Sequence, residues 1–215
     1  FRLFLGQVHA DGKRIVHEGL PFEADVYYTA AGAAGATGAA GTSAPAGAQV
    51  YAENIRVEEG SFYFDFHSPV QTIRDIRLGI PGRHNVENAV AAIQATLYLN
   101  ISGESIKSAL GNFKGVKRRF EYLVRTAEHI YIDDYAHHPE ELKAFLGAVR
   151  ELYPGKAMTV VFQPHLFSRT RDFMDGFAEA LSMADTLLLM DIYPARELPI
   201  PGIDASTLLD RISLQ

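Results

Sequence analysis

Residues 130–194 read IYIDDYAHHPEELKAFLGAVRELYPGKAMTVVFQPHLFSRTRDFMDGFAEALSMADTLLLMDIYP, and this stretch decides the fold class. IYIDD is a short apolar strand, PEELKAFLGAVRELY a helix with Pro139 in its first turn, and AMTVVFQP a second strand. SRTRDFMDGFAEALSMA follows as one amphipathic helix, DTLLLMDIYP as a third strand, and DASTLLDRIS opens another helix. Strand and helix alternating at this spacing predict a doubly wound α/β unit with a mainly parallel sheet.

Upstream the pattern differs. YAENIRVEEGSFYFDFHS (51–68) alternates apolar and polar residues around Glu59-Gly60, which predicts a hairpin with one buried face, and IRDIRLGI adds a strand. Pro81-Gly82 then turns the chain into a helix whose apolar face is Val86, Ala89, Val90, Ile93 and Leu97. Ser102 is placed to cap a second helix, expected to run to Gly115. The first 28 residues are weakly patterned: an apolar opening, a turn at Asp11-Gly12, and β-like RIVHEG and EADVYY. Residues 30–48, AAGAAGATGAAGTSAPAGA, carry almost no apolar bulk and read as a flexible surface insertion. A domain boundary is expected near Gly115, giving domains 1–115 and 116–215.

Composition narrows the function. The net charge of −6 is the wrong sign for a chain that tracks a nucleic-acid backbone. Nothing approaches the length of apolar run that spans a bilayer, so no membrane role is expected. Zero Cys excludes disulfides, thiolate metal sites and thiol catalysis, and fits an intracellular setting. The chain opens FRLFLGQ, without Met, signal segment or helix cap, and is expected to start inside a domain.

In open parallel sheets, ligands bind beyond the carboxyl ends of the strands. The segments that follow the three strands carry Asp134, Tyr135, His137, His138, His165, Arg169, Arg171, Tyr193 and Glu197. The intervening helices are ordinary amphipathic filler. Asp133 and Asp134 also suit capping of the next helix, and His137 and His138 suit a solvated loop. Asp134, His137 and His138 together form a candidate site for a transition metal, though adjacent His side chains rarely converge on one ion. Arg169 sits at a helix start, against the dipole, which an anionic ligand there would explain. Asn85 and Asn88 lie three apart on one helix face, with the donor and acceptor groups an adenine edge requires; helix capping by Asn85 is the alternative. The basic KGVKRRF (114–120) reads as a solvated linker or a phosphate clamp. GQVHADGKR (6–14) is not a P-loop: five residues separate Gly6 from Gly12-Lys13, and Arg14 stands where Ser or Thr would hold Mg²⁺.

Taken in order, PGRHNVENAVAA, GVKRRFE, DDYAHHPEE, FQPHLFSRTRDF and DIYPARELPIPG closely resemble the Mur ligase family, and the last two point to its alanine-adding branch. The resemblance covers about Tyr51 to Gln215 and, more loosely, residues 1–28; the 30–48 insertion has no counterpart. It implies the end of a P-loop ATPase-type central domain joined to an incomplete Rossmann-like C-terminal domain. It further implies ATP-dependent ligation of L-alanine to UDP-N-acetylmuramate through an acyl phosphate, in cytoplasmic peptidoglycan precursor synthesis. The P-loop and the Mg²⁺ ligands are then expected upstream, and residues 1–215 alone are expected to be inactive.

Carried over by the resemblance, His84, Asn85 and Asn88 line the adenine pocket. Arg119 lies near the transferring phosphate, and Asp134 is the C-terminal domain's contribution to the nucleotide site. Tyr135, His137, His165 and Arg169 face the substrate end, in a cleft assembled from both domains. Leu166 stands where some members have a second Arg, and Arg196 where many have Gly. Other readings are a murein-peptide recycling ligase of the same family, a metal-dependent phosphoesterase using Asp134, His137 and His138, and a non-catalytic nucleotide-binding module.

Overall fold

The computed structural model describes residues 2–30 and 48–214. The Ala/Gly insertion expected at 30–48 therefore falls almost wholly outside the described residues. The chain divides into two compact units, Phe1–Lys114 and Gly115–Gln215.

In the first unit a four-residue helix, α1 (Arg2–Leu5), replaces the featureless apolar opening. The sheet runs β1 (Ile15–His17), β2 (Val26–Ala30), β3 (Val50–Glu58), β4 (Ser61–His67), β5 (Thr72–Leu78), in that spatial order. The first three strands are parallel and the last two antiparallel additions. The β3–β4 turn falls on Glu59-Gly60 as the alternation predicts, both with positive φ, the conformation a two-residue hairpin loop needs. Phe62, Phe64 and Phe66 all point to one face and are fully buried. That face is covered by α2 (Arg83–Tyr98), through Val86, Ala89, Val90 and Ile93.

One expected face residue differs. Leu97 is only partly buried, and Gln94 takes the inward position. Leu97 lies on the same stripe but in the last turn, one residue before the helix ends at Tyr98. Gln94 Oε1 has no hydrogen-bond partner among the described residues.

Ser102 caps α3 (Gly103–Asn112) by accepting the Ser105 N–H. The helix ends at Asn112, short of the expected Gly115, because Phe113 turns extended. The N–H of Gly79 takes the Leu110 carbonyl at 2.9 Å, and any Cβ at Gly79 would meet the Phe113 carbonyl oxygen. Glycine is what lets the strand end touch the helix end.

The second unit holds β6 (Glu121–Arg125), β7 (Ile130–Asp133), α4 (Pro139–Leu152), β8 (Thr159–Phe162), α5 (Phe167–Asp172), α6 (Met174–Leu181), β9 (Thr186–Leu189) and α7 (Ala205–Leu209). β8 and β9 are parallel, as alternation with helices requires. β7 pairs antiparallel with β6, a strand the sequence does not announce because three of its five residues are exposed and it shows no alternation. The helix expected over 168–184 is interrupted at Phe173 (φ −121°, ψ 22°), whose ring meets His138 edge-on at 4.5 Å. Leu142 and Leu146 of α4, Phe162 of β8, Phe177 and Leu181 of α6 and Leu208 of α7 form the core. A groove of about 760 Å³ runs between β7 and β8 over α4.

Candidate functional site

The polar side chains singled out in the second unit stand on the segments that follow β7, β8 and β9, where the strand ends meet helix starts. They form two clusters, one drawn together by Asp134 and by Glu141, which the sequence reading did not single out, the other by Glu197.

The first cluster is folded around Asp134. Its Oδ2 accepts the Phe120 N–H at 2.8 Å and its Oδ1 the Ala136 N–H at 2.8 Å. The Tyr135 N–H in turn reaches the Arg118 carbonyl at 2.7 Å. Asp134 thus clips the 118–120 turn, where Arg118 and Phe120 both have positive φ, to the loop after β7. It does not cap α4, and neither does Asp133, which lies 3.8 Å from Arg118; the cap is His138, whose Nδ1 accepts the Glu140 N–H.

Glu141, in the first turn of α4, draws the remaining groups together. Its Oε2 accepts the His137 N–H at 3.0 Å and lies 3.3 Å from His137 Nδ1, and its Oε1 lies 3.9 Å from Arg119 Nη1. The Arg119 guanidinium is 6.0 Å from the Tyr135 ring centroid, and the Tyr135 and His137 rings meet edge to face at 5.1 Å. Burial pushes the Glu141 carboxyl up, but the His137 N–H and the neighbouring His137 and Arg119 outweigh it and hold the group below its ordinary value. His137 Nδ1 also lies 3.0 Å from the Tyr135 carbonyl, which can only accept, so Nδ1 carries a hydrogen.

This geometry removes the metal reading of Asp134, His137 and His138. Both Asp134 oxygens are taken by backbone N–H groups, and His138 is turned against Phe173. No group of three His, Cys, Asp or Glu that could hold a metal ion occurs among the described residues.

The second cluster joins the loops after β8 and β9. The Leu166 N–H donates to the Tyr193 carbonyl and the Tyr193 N–H to the Pro164 carbonyl, extending the parallel pairing by one bridge. The His165 and Tyr193 rings stack at 5.6 Å. Arg169 Nη1 lies 3.5 Å from His165 Nδ1. A guanidinium has no acceptor, so Nδ1 accepts and a neutral His165 holds its proton on Nε2. His165 and Arg169 therefore offer only donors. The anion expected at the start of α5 comes from within the chain: Glu197 accepts the Ser168 N–H at 2.9 Å and the Ser168 hydroxyl at 2.5 Å. Arg171 pairs with its neighbour Asp172, with the Glu197 carboxylate nearby.

In the first unit the α2 start is built on Gly82 (φ 113°), where a Cβ would strike the His84 ring. Asn85 Nδ2 donates to the Pro81 carbonyl at 2.7 Å, so this amide braces the turn and caps no helix N–H. Asn88 and His84 are exposed. Beneath them lies a cluster the sequence did not reveal: Glu87 pairs with His17 of β1, whose ring meets Tyr28 of β2 edge-on. Burial, then Glu87, raises the Tyr28 hydroxyl. Residues 70 positions apart in sequence meet here, a proximity with no local signal.

These arrangements define the class of protein. Residues 2–96 match the Mur ligase middle domain and residues 118–215 the Mur ligase glutamate ligase domain, and the chain belongs to the Mur ligase family. It is 46% identical over 212 residues to the UDP-N-acetylmuramate--L-alanine ligase of Flavobacterium psychrophilum, covering 99% of this chain and 44% of that protein. The Cytophaga hutchinsonii protein of the same name is 53% identical over 160 residues, 74% of this chain and 34% of its own length. The chain thus spans less than half the length of these curated relatives. Among solved structures, a UDP-N-acetylmuramate-alanine ligase from Thermotoga maritima superposes with a TM-score of 0.65 at 25% identity, over 87% of this chain and 37% of that one. A folylpolyglutamate synthase from the same organism shares the fold at 17% identity and a TM-score of 0.58, over 78% of this chain and 39% of that one.

Proposed function

We propose that the polypeptide carrying these residues is an ATP-dependent ligase that joins L-alanine to UDP-N-acetylmuramate in the cytoplasm, in peptidoglycan precursor synthesis. The observation that carries this reading is the donor pair His165 and Arg169, held on the strand-end loops with the Arg119, Tyr135 and His137 cluster in the same unit. Identities of 46–53% to relatives named for that activity support it.

His165 and Arg169 present two donors and suit the carboxylate of the incoming amino acid. His137 presents its Nε2 lone pair beside the Tyr135 ring, suited to accept a proton from the attacking amine. Arg119, half exposed and tethered to Glu141, is a preorganised cation for charge that develops on a carboxylate under activation. Asp134 acts by holding the turn that carries Arg119. In the other unit, exposed His84 and Asn88 offer a flat ring and a donor–acceptor amide, which fit an adenine base, while Asn85 fixes the turn beneath them. ATP supplies the phosphoryl group that activates the muramyl carboxylate as an acyl phosphate. No step here runs through a metal ion.

The test is L-alanine-dependent ADP formation by the full-length enzyme with UDP-N-acetylmuramate. Arg119→Ala should lower kcat by about 10²–10³, the usual loss for one preorganised oxyanion donor, with an unchanged melting temperature. Unchanged turnover in Arg119→Ala, or no L-alanine dependence in the parent enzyme, refutes the reading.

A further inference from the structure

α5 begins badly. Its N-cap is Leu166, a branched residue at φ 75°, and no side chain of the cap residue accepts a helix N–H. A left-handed non-glycine residue is costly and persists only where its surroundings over-determine it. The surroundings here are Tyr193, whose carbonyl takes the Leu166 N–H, and Glu197, which accepts both the N–H and the hydroxyl of Ser168 from 29 positions away. Glu197 is itself fixed by a turn, its N–H donating to the Pro194 carbonyl at 2.9 Å. Leu166 lies between His165 and the helix that carries Arg169, so its conformation sets the angle between the imidazole and the guanidinium.

We propose that Glu197 is a positioning residue for His165 and Arg169: it stands in for the missing cap of α5, locks the 164–169 segment onto the 191–197 segment, and so aims the two donors. This rests on the reading of His165 and Arg169 as groups that face the amino-acid substrate. Glu197 touches neither of them; its effect passes through Ser168 and Leu166. The bonds from Ser168, with Phe167 and Arg171 nearby, also hold the Glu197 carboxyl below its ordinary value, so it is ionised at neutral pH. Without it the Phe167 and Ser168 N–H groups lose their acceptor and Leu166 is released to an unstrained φ, which turns His165 and Arg169 apart. The donors hold a carboxylate that does not itself react and keeps its charge before and during reaction, so the loss falls on KM.

The test uses the full-length enzyme and compares Glu197→Gln, Ser168→Ala and Arg169→Ala, each measured for kcat, for KM toward L-alanine and toward ATP, and for melting temperature. Glu197→Gln should raise KM for L-alanine about tenfold, with kcat within about threefold and KM for ATP unchanged, the size expected for loss of a charge-assisted bond. Ser168→Ala should act in the same direction and add little in the double variant, because both remove one interaction; it carries the test if Glu197→Gln fails to fold. A raised KM in Arg169→Ala with none in Glu197→Gln or Ser168→Ala overturns the proposal alone and leaves Glu197 a mere helix cap. An unchanged KM in Arg169→Ala overturns the substrate-facing reading of the loop, and the proposal with it.

Discussion

Replacing Asp134 by Asn separates a structural clip from a ligand contact. In the native chain the two carboxylate oxygens accept the Phe120 and Ala136 N–H groups, both at 2.8 Å. An Asn keeps one acceptor and turns an NH₂ donor toward the other N–H, so one charge-assisted bond is lost and a half-buried donor faces a donor. A hydrogen bond to a charged group is worth about 1.5–3 kcal/mol, and partial exposure places this one near the lower end. For a unit of this size, about 1.5–2 kcal/mol corresponds to a melting shift of about 10 °C. Urea and thermal unfolding of the chain measure the loss, and amide hydrogen exchange locates it: Phe120 or Ala136 should exchange faster while amides of the β3–β4 hairpin are unaffected. Asp133→Asn is the control, since its 3.8 Å approach to the exposed Arg118 should be worth less than about 0.5 kcal/mol. If Asp134→Asn shifts stability no more than that control and both amides keep their protection, the clip is not what holds the 118–120 turn.

Phe64→Ala in the centre of β4 should destabilise the first unit by about 3–5 kcal/mol, because the ring is fully buried and the sheet and α2 cannot close the space; denaturant unfolding followed on this unit checks it. Acid should weaken the chain through carboxyls whose folded values lie below ordinary, among them Glu141 and Asp65. Burial acts to raise both, and bonds from N–H and side-chain donors override it. Their stabilisation is full above the unfolded value of about 4 and is lost as pH falls through the lower folded value. Urea midpoints between pH 7 and pH 2 should therefore drop below about pH 4, with a shallower drop in Glu141→Gln.

Local signals were enough for the hairpin at Glu59-Gly60, the Ser102 cap, Pro139 at a helix start and the parallel strand-helix rhythm, since each depends on a few neighbouring residues. The segments that bear the candidate groups were also legible, because the carboxyl ends of parallel strands are where such folds expose polar side chains. β6 was hidden, as a mostly exposed strand bears no alternation. The halt of α3 at Asn112 was hidden too, for it depends on Gly79 meeting the helix end from 31 positions upstream.

The same division runs through the site. The residue types at His84, Asn88, Arg119, Tyr135, His137, His165 and Arg169, and the order of their motifs, were determined by the sequence itself. Only the tertiary structure decided which groups each of them meets. It set Asp134 on two backbone N–H groups, turned His138 into a cap, and brought His137 to Glu141 and His165 to Arg169. It also made Glu141 and Glu197 the carboxylates that hold the two clusters. The physical reason is range: a propensity or a cap is fixed by contacts a few residues apart, whereas a carboxylate's partners are chosen by whichever donors the fold brings within about 3 Å of it.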